Sequence, residues 1–227
     1  MKMNTKAFVE GKTEVAVLKR VGFPGDIISS NGKSSINKKT AESLEPLLEI
    51  KPLRTLIMRD LDEGETVERL KQGIEEMIKK MFKNREIRTS IQVETITDNV
   101  FLFAAEAADF RLVLHVANYR WNEIFTKSTI DDYLLAIALE PQLAQTLAER
   151  QRIISGNTLI KKITEEIPDL LSKNGISLLE AKDYIGLYAA ILKKHTSPSV
   201  FAQIVLIRPT IRFFNDIFRL CLLLLRC

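Results

Sequence analysis

The sequence predicts an α/β protein: a mainly parallel sheet flanked by helices over residues 1–120, followed by a mainly helical extension over 121–227 that ends in an amphipathic segment. Two observations carry this expectation. Over the first eighty or so residues, short β-like runs alternate with helical patterns, and parallel strands need such crossover connections. Beyond Tyr119 the β-like runs cease and helical spacing takes over. The size and composition are those of a globular domain, since 227 residues with 46% apolar and 27% charged side chains can bury a core.

In order along the chain, Lys6–Val9 is a short apolar run that reads as a strand, and Glu14–Val21 reads as a helix with Val15, Val17, Leu18 and Val21 inward. Gly22, Pro24 and Gly25 punctuate a turn before a second strand at Asp26–Ser29, and Ser30-Asn31-Gly32 marks another turn. A helix over Ser43–Glu49 is closed by Lys51-Pro52. A strand at Arg54–Met58 then ends on an acidic stretch, and Thr66–Phe82 carries Val67, Leu70, Ile74, Met77, Ile78 and Met81 at helical spacing. Strands follow at Thr89–Thr95, Val100–Ala105 and Arg111–Val116. Helices are expected over Ile130–Leu139, Gln142–Ile153, Thr158–Leu171, Ser177–Lys194 and from Phe201 onward.

Composition excludes several classes. The two cysteines, Cys221 and Cys227, sit at the far C-terminal end, which leaves no disulfide framework and no four-cysteine zinc site, and suits a reducing, cytoplasmic setting. The first residues lack the apolar run of a signal peptide, and no stretch approaches the ~20 apolar residues of a membrane-spanning helix, so no membrane is expected as a partner. A net charge of +4 is compatible with binding phosphates, yet is far from the basic tails that announce nucleic acid.

Chemistry concentrates where parallel strands end, because ligands gather at the carboxyl ends of such sheets. The first strand runs into Glu10-Gly11-Lys12-Thr13-Glu14, with Gly11 expected to allow a tight turn. The third runs into Asp60-Leu61-Asp62, whose alternation puts both aspartates on one side of the chain. Hard oxygen ligands grouped in this way suit Mg²⁺ or Mn²⁺, one or two ions, and phosphoryl chemistry.

Glu10, Asn31-Gly32 and Asp60-Leu61-Asp62 resemble, in order and spacing, the pattern of the Toprim domain: a glutamate after the first strand, an Asn-Gly near the second and an Asp-x-Asp after the third. The resemblance covers about the first half of the chain and implies a Toprim-like, Rossmann-like fold. Glu14 brings it closer to the OLD (overcoming-lysogenization-defect) nucleases and small stand-alone Toprim proteins. Topoisomerases and primases often carry Asp-x-Asp-x-x-Gly-Glu, and here the run is one residue shorter, Asp60-Leu61-Asp62-Glu63-Gly64-Glu65.

What the resemblance implies is a metal-dependent nuclease acting on DNA or RNA, with Glu10, Glu14, Asp60 and Asp62 holding metal and Glu10 also placed for acid–base work. Work in phage defence or nucleic-acid maintenance is implied in the same way. The rival implications are a non-catalytic metal- or nucleic-acid-binding module that works with a separate ATPase subunit and, as a minor alternative, a primase- or topoisomerase-like activity. OLD-type nucleases also carry a hydroxyl residue two positions before a carboxylate, matched here by Thr129 and Asp131, which implies a contribution to a second metal. They place a lysine near the scissile phosphate as well, matched best by Lys182. Thr129 reads equally as a helix N-cap, and Lys182 as a solvated lysine.

Three further features are set aside or left open. Asn31-Gly32-Lys33-Ser34 is not a phosphate-binding loop, because Ile27 stands where the motif needs glycine. His115 and His195 are read as structural, each lacking a second metal-type neighbour. Ile211–Leu225 presents an apolar stripe that suits a terminal helix packed on its own domain or, as the alternative, a homodimer interface or a docking surface.

Overall fold

A computed structural model describes residues 4–30, 32, 35–50, 52–150, 152, 155–192, 197–206, 221 and 223. Six strands, β1 Asn4–Val9, β2 Asp26–Ser29, β3 Leu53–Asp60, β4 Gln92–Thr97, β5 Val100–Ala105 and β6 Phe110–Ala117, form one sheet in the order β2-β1-β3-β6-β5-β4. The first four strands of that order run parallel, and β5 and β4 complete the sheet antiparallel. The antiparallel end has a simple cause. Only two residues separate β4 from β5 and four separate β5 from β6, and hairpin connections of that length cannot return a chain to parallel pairing.

Helices α1 Lys12–Val21, α2 Ile36–Leu44 and α3 Val67–Asn84 connect the strands, and α4 Ile130–Ala138, α5 Pro141–Arg150, α6 Gly156–Lys161, α7 Ile167–Lys173, α8 Ala181–Ile191 and α9 Pro198–Val205 follow β6. This is a mainly parallel, Rossmann-like α/β architecture with C-terminal helices. Alternation along the strands divides the buried side chains between the two faces of the sheet. Ala7, Val9, Leu56, Met58 and Val113 pack with α1, α4 and the later helices, whereas Phe8, Ile57, Leu112 and Leu114 pack with α2 and α3. The helices after residue 120 therefore share a core with the sheet. Truncating Phe8 or Ile57, each essentially inaccessible, would cost about 3–5 and 2–5 kcal/mol respectively.

Several elements depart from their expected bounds. The helix expected at Ser43–Glu49 lies instead at Ile36–Leu44, and Glu45–Leu47 forms a short 3₁₀ turn. Pro46 has no N–H with which to continue the α ladder, while Ile36, Thr40 and Leu44 share the buried stripe. The helix expected over Thr158–Leu171 is divided by a π-helical turn at Lys162–Glu166, where the Ile167 N–H reaches the Lys162 carbonyl. Pro168 lies just beyond and again lacks the donor for a regular continuation. The helix expected from Ser177 begins at Ala181, because the Asp183 carboxylate caps the Leu179 and Glu180 N–H groups.

Of the apolar stripe Ile211–Leu225, only Cys221, which is buried, and Leu223, which is half-exposed, are described, and the rest of that segment lies outside the described residues, as do His195 and Cys227. Among the described residues no helix is long and apolar enough to cross a membrane.

Candidate functional site

Parallel register builds the first half of the site. β1 pairs β3 with Phe8 opposite Ile57, and the same offset carried two residues further sets Glu10 opposite Arg59. On the α2 side of the sheet these two side chains form a close ion pair, Arg59 Nε donating to Glu10 Oε1 at 2.6 Å, with the side chains 6% and 13% exposed. Arg59 Nη1 donates to Asn37 Oδ1 of α2 at 3.4 Å, and Nη2 lies 3.9 Å from Glu65 Oε1. Burial raises the pKa of Glu10, an effect that Arg59 and the Asp60 N–H oppose without cancelling and that Asp62 adds to.

The second half lies on the other face. Glu14, in the first turn of α1, is 5% exposed and accepts a hydrogen bond from the Gly11 N–H at 3.1 Å. Asp60, the last residue of β3, accepts from the Ile130 N–H at the start of α4 at 3.1 Å. A bridge between Leu61 and Ser128 holds that helix start against the strand end. Asp131 follows in the first turn of α4, and its Oδ1 is buried with no hydrogen-bond partner.

These carboxylates feel one another. Burial first, then the charges of Glu14 and Glu10, push Asp60 well above the usual carboxylate range. Burial, then Glu14, pushes Asp131 up to about 7, with Lys182 at the start of α8 opposing. Burial, with Glu10, also raises Glu14. Burial and mutual repulsion thus favour the protonated forms on this face, whereas Glu10 is faced by a fixed guanidinium.

The sequence candidates are thus brought to one end of the sheet, but on two faces. Asp60 and Asp131 share the α4 face, with Glu14 and Lys182 beside them. Glu10 is closed by Arg59 on the α2 face. Asp62 lies beyond the end of β3, where its N–H donates to Glu65 Oε2 at 3.3 Å across a turn that has Gly64 at φ +75°. Glycine suits that left-handed position.

Gly11 does not make the tight turn expected of it. Its backbone is extended, with φ −139°, and it acts as the N-cap of α1, where an added Cβ would stand 3.2 Å from Glu14 Oε2. Thr129 is the N-cap of α4: its N–H and hydroxyl reach Asp132 Oδ2 at 2.9 and 3.0 Å, so capping accounts for it. Gly32 has φ +132° and its N–H donates to the Glu10 carbonyl at 3.2 Å, while Asn31 lies outside the described residues. His115 is fully buried beside Tyr133, and burial alone lowers its pKa to about 4, keeping it neutral.

Sequence reasoning missed Arg59. Its signal was a charged residue directly after the apolar run Leu56–Met58 and before the first aspartate, but only the β1–β3 register shows what it faces. Among the described residues no group of three or more acidic, histidine or cysteine side chains is arranged for direct joint ligation of a metal ion. The donor chemistry nevertheless fits a hard divalent cation, with oxygen ligands, raised pKa values and one buried oxygen without a partner.

No protein-family model matches the chain, and no curated protein matches it. Among solved structures, the crystal structure of hypothetical protein PH0156 from Pyrococcus horikoshii OT3 is similar at a TM-score of 0.59 and 16% identity, over 100% of this chain and 99% of that one. At that identity the likeness extends to the fold.

Proposed function

We propose that the chain is a Mg²⁺- or Mn²⁺-dependent phosphodiesterase acting on DNA or RNA, with Glu14, Asp60 and Asp131 as the residues that hold the cation. The observation that carries this reading is Asp131 Oδ1, a buried oxygen without a partner beside two other carboxylates, Glu14 and Asp60, whose pKa values burial and mutual repulsion raise. Buried polar atoms are almost always satisfied, and a cation is the partner that would also relieve the crowding of charge.

Direct ligation by all three side chains is not required. Mg²⁺ keeps several waters and binds through one or two carboxylates, so a hydrated ion needs no set of three side chains arranged for direct ligation. When bound, such an ion polarises a phosphate and lowers the pKa of water. The chain's own residues do the rest. Asp60 is held in place by the Ile130 N–H, and Glu14 by the Gly11 N–H. Lys182, close enough to Asp131 to lower its pKa, can meet the negative charge of a phosphate at the same edge.

The test is a panel of plasmid, linear duplex, single strand and structured RNA incubated with Mg²⁺, Mn²⁺ or EDTA, using the purified chain and Asp60→Asn. Cleavage that requires the cation and is lost in the variant is the expected result. No cleavage of any substrate with either ion would overturn the reading.

A further inference from the structure

The loop between β6 and α4 is the feature at this edge that the proposed chemistry does not use. In the β3–β6 register Met58 lies opposite His115 and Asp60 opposite Ala117. Alternation carried two residues further puts Tyr119, just beyond β6, on the α4 face with Asp60. Tyr133 of α4 agrees with that placement, since its ring lies 6.4 Å from that of His115 and 5.3 Å from that of Tyr119. Tyr133 is only about 4.5 Å along the helix from Ile130, whose N–H holds Asp60. Tyr119 therefore stands beside the candidate cation site.

The loop holds that ring in place. The Tyr119 N–H donates to the Tyr133 hydroxyl at 3.3 Å, and the same hydroxyl donates to Asn118 Oδ1 at 3.4 Å. The Trp121 N–H donates to Asp132 Oδ1 at 3.0 Å and Arg120 Nε to Ser128 Oγ at 3.2 Å, while Ser128 exchanges two 2.8 Å backbone bonds with Leu61. So tethered, Tyr119 still leaves 42% of its surface to solvent. An exposed apolar side chain taken singly is ordinary. An exposed ring that its own backbone and a second ring both fix loses little entropy when a flat partner covers it. Arg120, Lys127 and Lys182 are exposed at the same edge, Lys127 sharing its charge with Glu180 at 3.4 Å, and the loop itself adds one exposed acid, Glu123. The balance of those exposed charges favours a polyanion.

We propose that Tyr119 stacks an unpaired nucleobase, so that the substrate of this edge is a single strand, or an unpaired stretch of a longer nucleic acid, rather than a continuous duplex. The inference rests on the proposed reading of the α4 face and names its substrate class. Within a duplex the bases cover one another's faces and offer a protein only their edges and the backbone. An unpaired base offers its face, and every base has one, so a ring beside the cation site selects for lack of pairing and not for sequence.

The experiment is a fluorescence-anisotropy titration of the full-length chain at low salt in EDTA, so that binding is read without cleavage. The probes are single strands of dT and of rU, about 15 nucleotides long to cover one site, and a blunt DNA duplex of the same length. At least one single strand should bind tenfold or more tightly than the duplex, and which one names the sugar. Tyr119→Ala should weaken that strand by about fivefold or more, and Tyr119→Phe should stay within about twofold of the wild type. Tyr119→Leu keeps an apolar contact with Tyr133 but has no ring to stack, and it decides the matter should Tyr119→Ala fail to fold.

Binding of the duplex as tightly as of both single strands overturns the inference. So does a wild type that binds neither strand, or a folded Tyr119→Leu that binds like the wild type. The cleavage panel is scored separately. Cation-dependent cleavage with no effect of Tyr119 on binding removes this inference and leaves the nuclease reading. Binding of single strands through Tyr119 with no cleavage removes that reading and leaves Tyr119 as a binding site.

Discussion

The two faces of the sheet solve the same electrostatic problem differently at its carboxyl edge. On the α2 face Glu10 is compensated by a covalently attached cation, Arg59, at 2.6 Å. On the α4 face Asp60 and Asp131, with Glu14 beside them, have no cation in hydrogen-bond contact among the described residues, and burial and mutual repulsion raise their pKa values, which favours their protonated forms. A guanidinium is permanent, whereas a proton is exchangeable for a metal ion. On the proposed reading the α4 face is the one that takes up an ion, whereas Glu10 on the α2 face is closed by Arg59.

Breaking the permanent side should have the largest effect on stability. Arg59→Met strands the Glu10 carboxylate and should lower unfolding free energy by about 3–5 kcal/mol in urea titrations at neutral pH. An unchanged midpoint would show that the pair contributes nothing to the fold.

On the exchangeable side the loss should fall on activity instead. Asp60→Asn keeps its shape and removes the charge that draws a cation, so Mg²⁺-dependent cleavage should fall by at least about a hundredfold, roughly 3 kcal/mol of transition-state stabilisation. Its urea midpoint should hold or rise, because the neutral amide relieves repulsion from Glu14 and Glu10.

Asp131 sharpens the contrast through pH. Its pKa in the folded protein is about 7 against an ordinary 3.8, so between those values the folded state binds more protons than the unfolded one. As far as this group is concerned, stability in EDTA should therefore be greatest and level below about pH 4, fall as pH rises toward 7, and level off above. Asp131→Asn should remove that slope and be more stable than the wild type by about 2 kcal/mol or more at pH 8. A wild type whose unfolding free energy shows no such fall would leave Asp131 an ordinary carboxylate.

The smallest effect belongs to Thr129→Ala. Loss of the hydroxyl to Asp132 should cost about 1 kcal/mol in thermal or urea unfolding, and Mg²⁺-dependent cleavage should drop far less than in Asp60→Asn. A loss of activity equal to that of Asp60→Asn would place Thr129 in the chemistry.

Much of this arrangement is legible in the residues, because it depends on local periodicity. Val67 to Met81 specify α3 through their spacing, and the strand runs at Asp26–Ser29 and Val100–Ala105 coincide with β2 and β5. Elements set by proline were less legible. Pro46 and Pro168 change the local hydrogen-bond pattern without changing the apolar stripe, so periodicity alone misplaced α2 and merged α6 with α7.

At the site, carboxylates at strand ends can be read from spacing, but which face each occupies cannot. Glu10 follows β1 and Asp60 ends the adjacent β3, yet they turn to opposite faces, a consequence of where each strand's alternation ends. The Arg59 partner and the orphaned oxygen of Asp131 are tertiary facts with no local signature.

On the proposed reading, protons and a divalent cation compete for the carboxylates of the α4 face. The most direct measurement is a ¹³C NMR titration of the Asp131 side-chain carboxyl with and without Mg²⁺. The expected result is a midpoint near 7 in EDTA that moves down by at least one pH unit when Mg²⁺ is added, because the cation competes with the proton for the same oxygens. A midpoint near the ordinary 3.8 in EDTA, or one near 7 that Mg²⁺ leaves in place, would contradict the account.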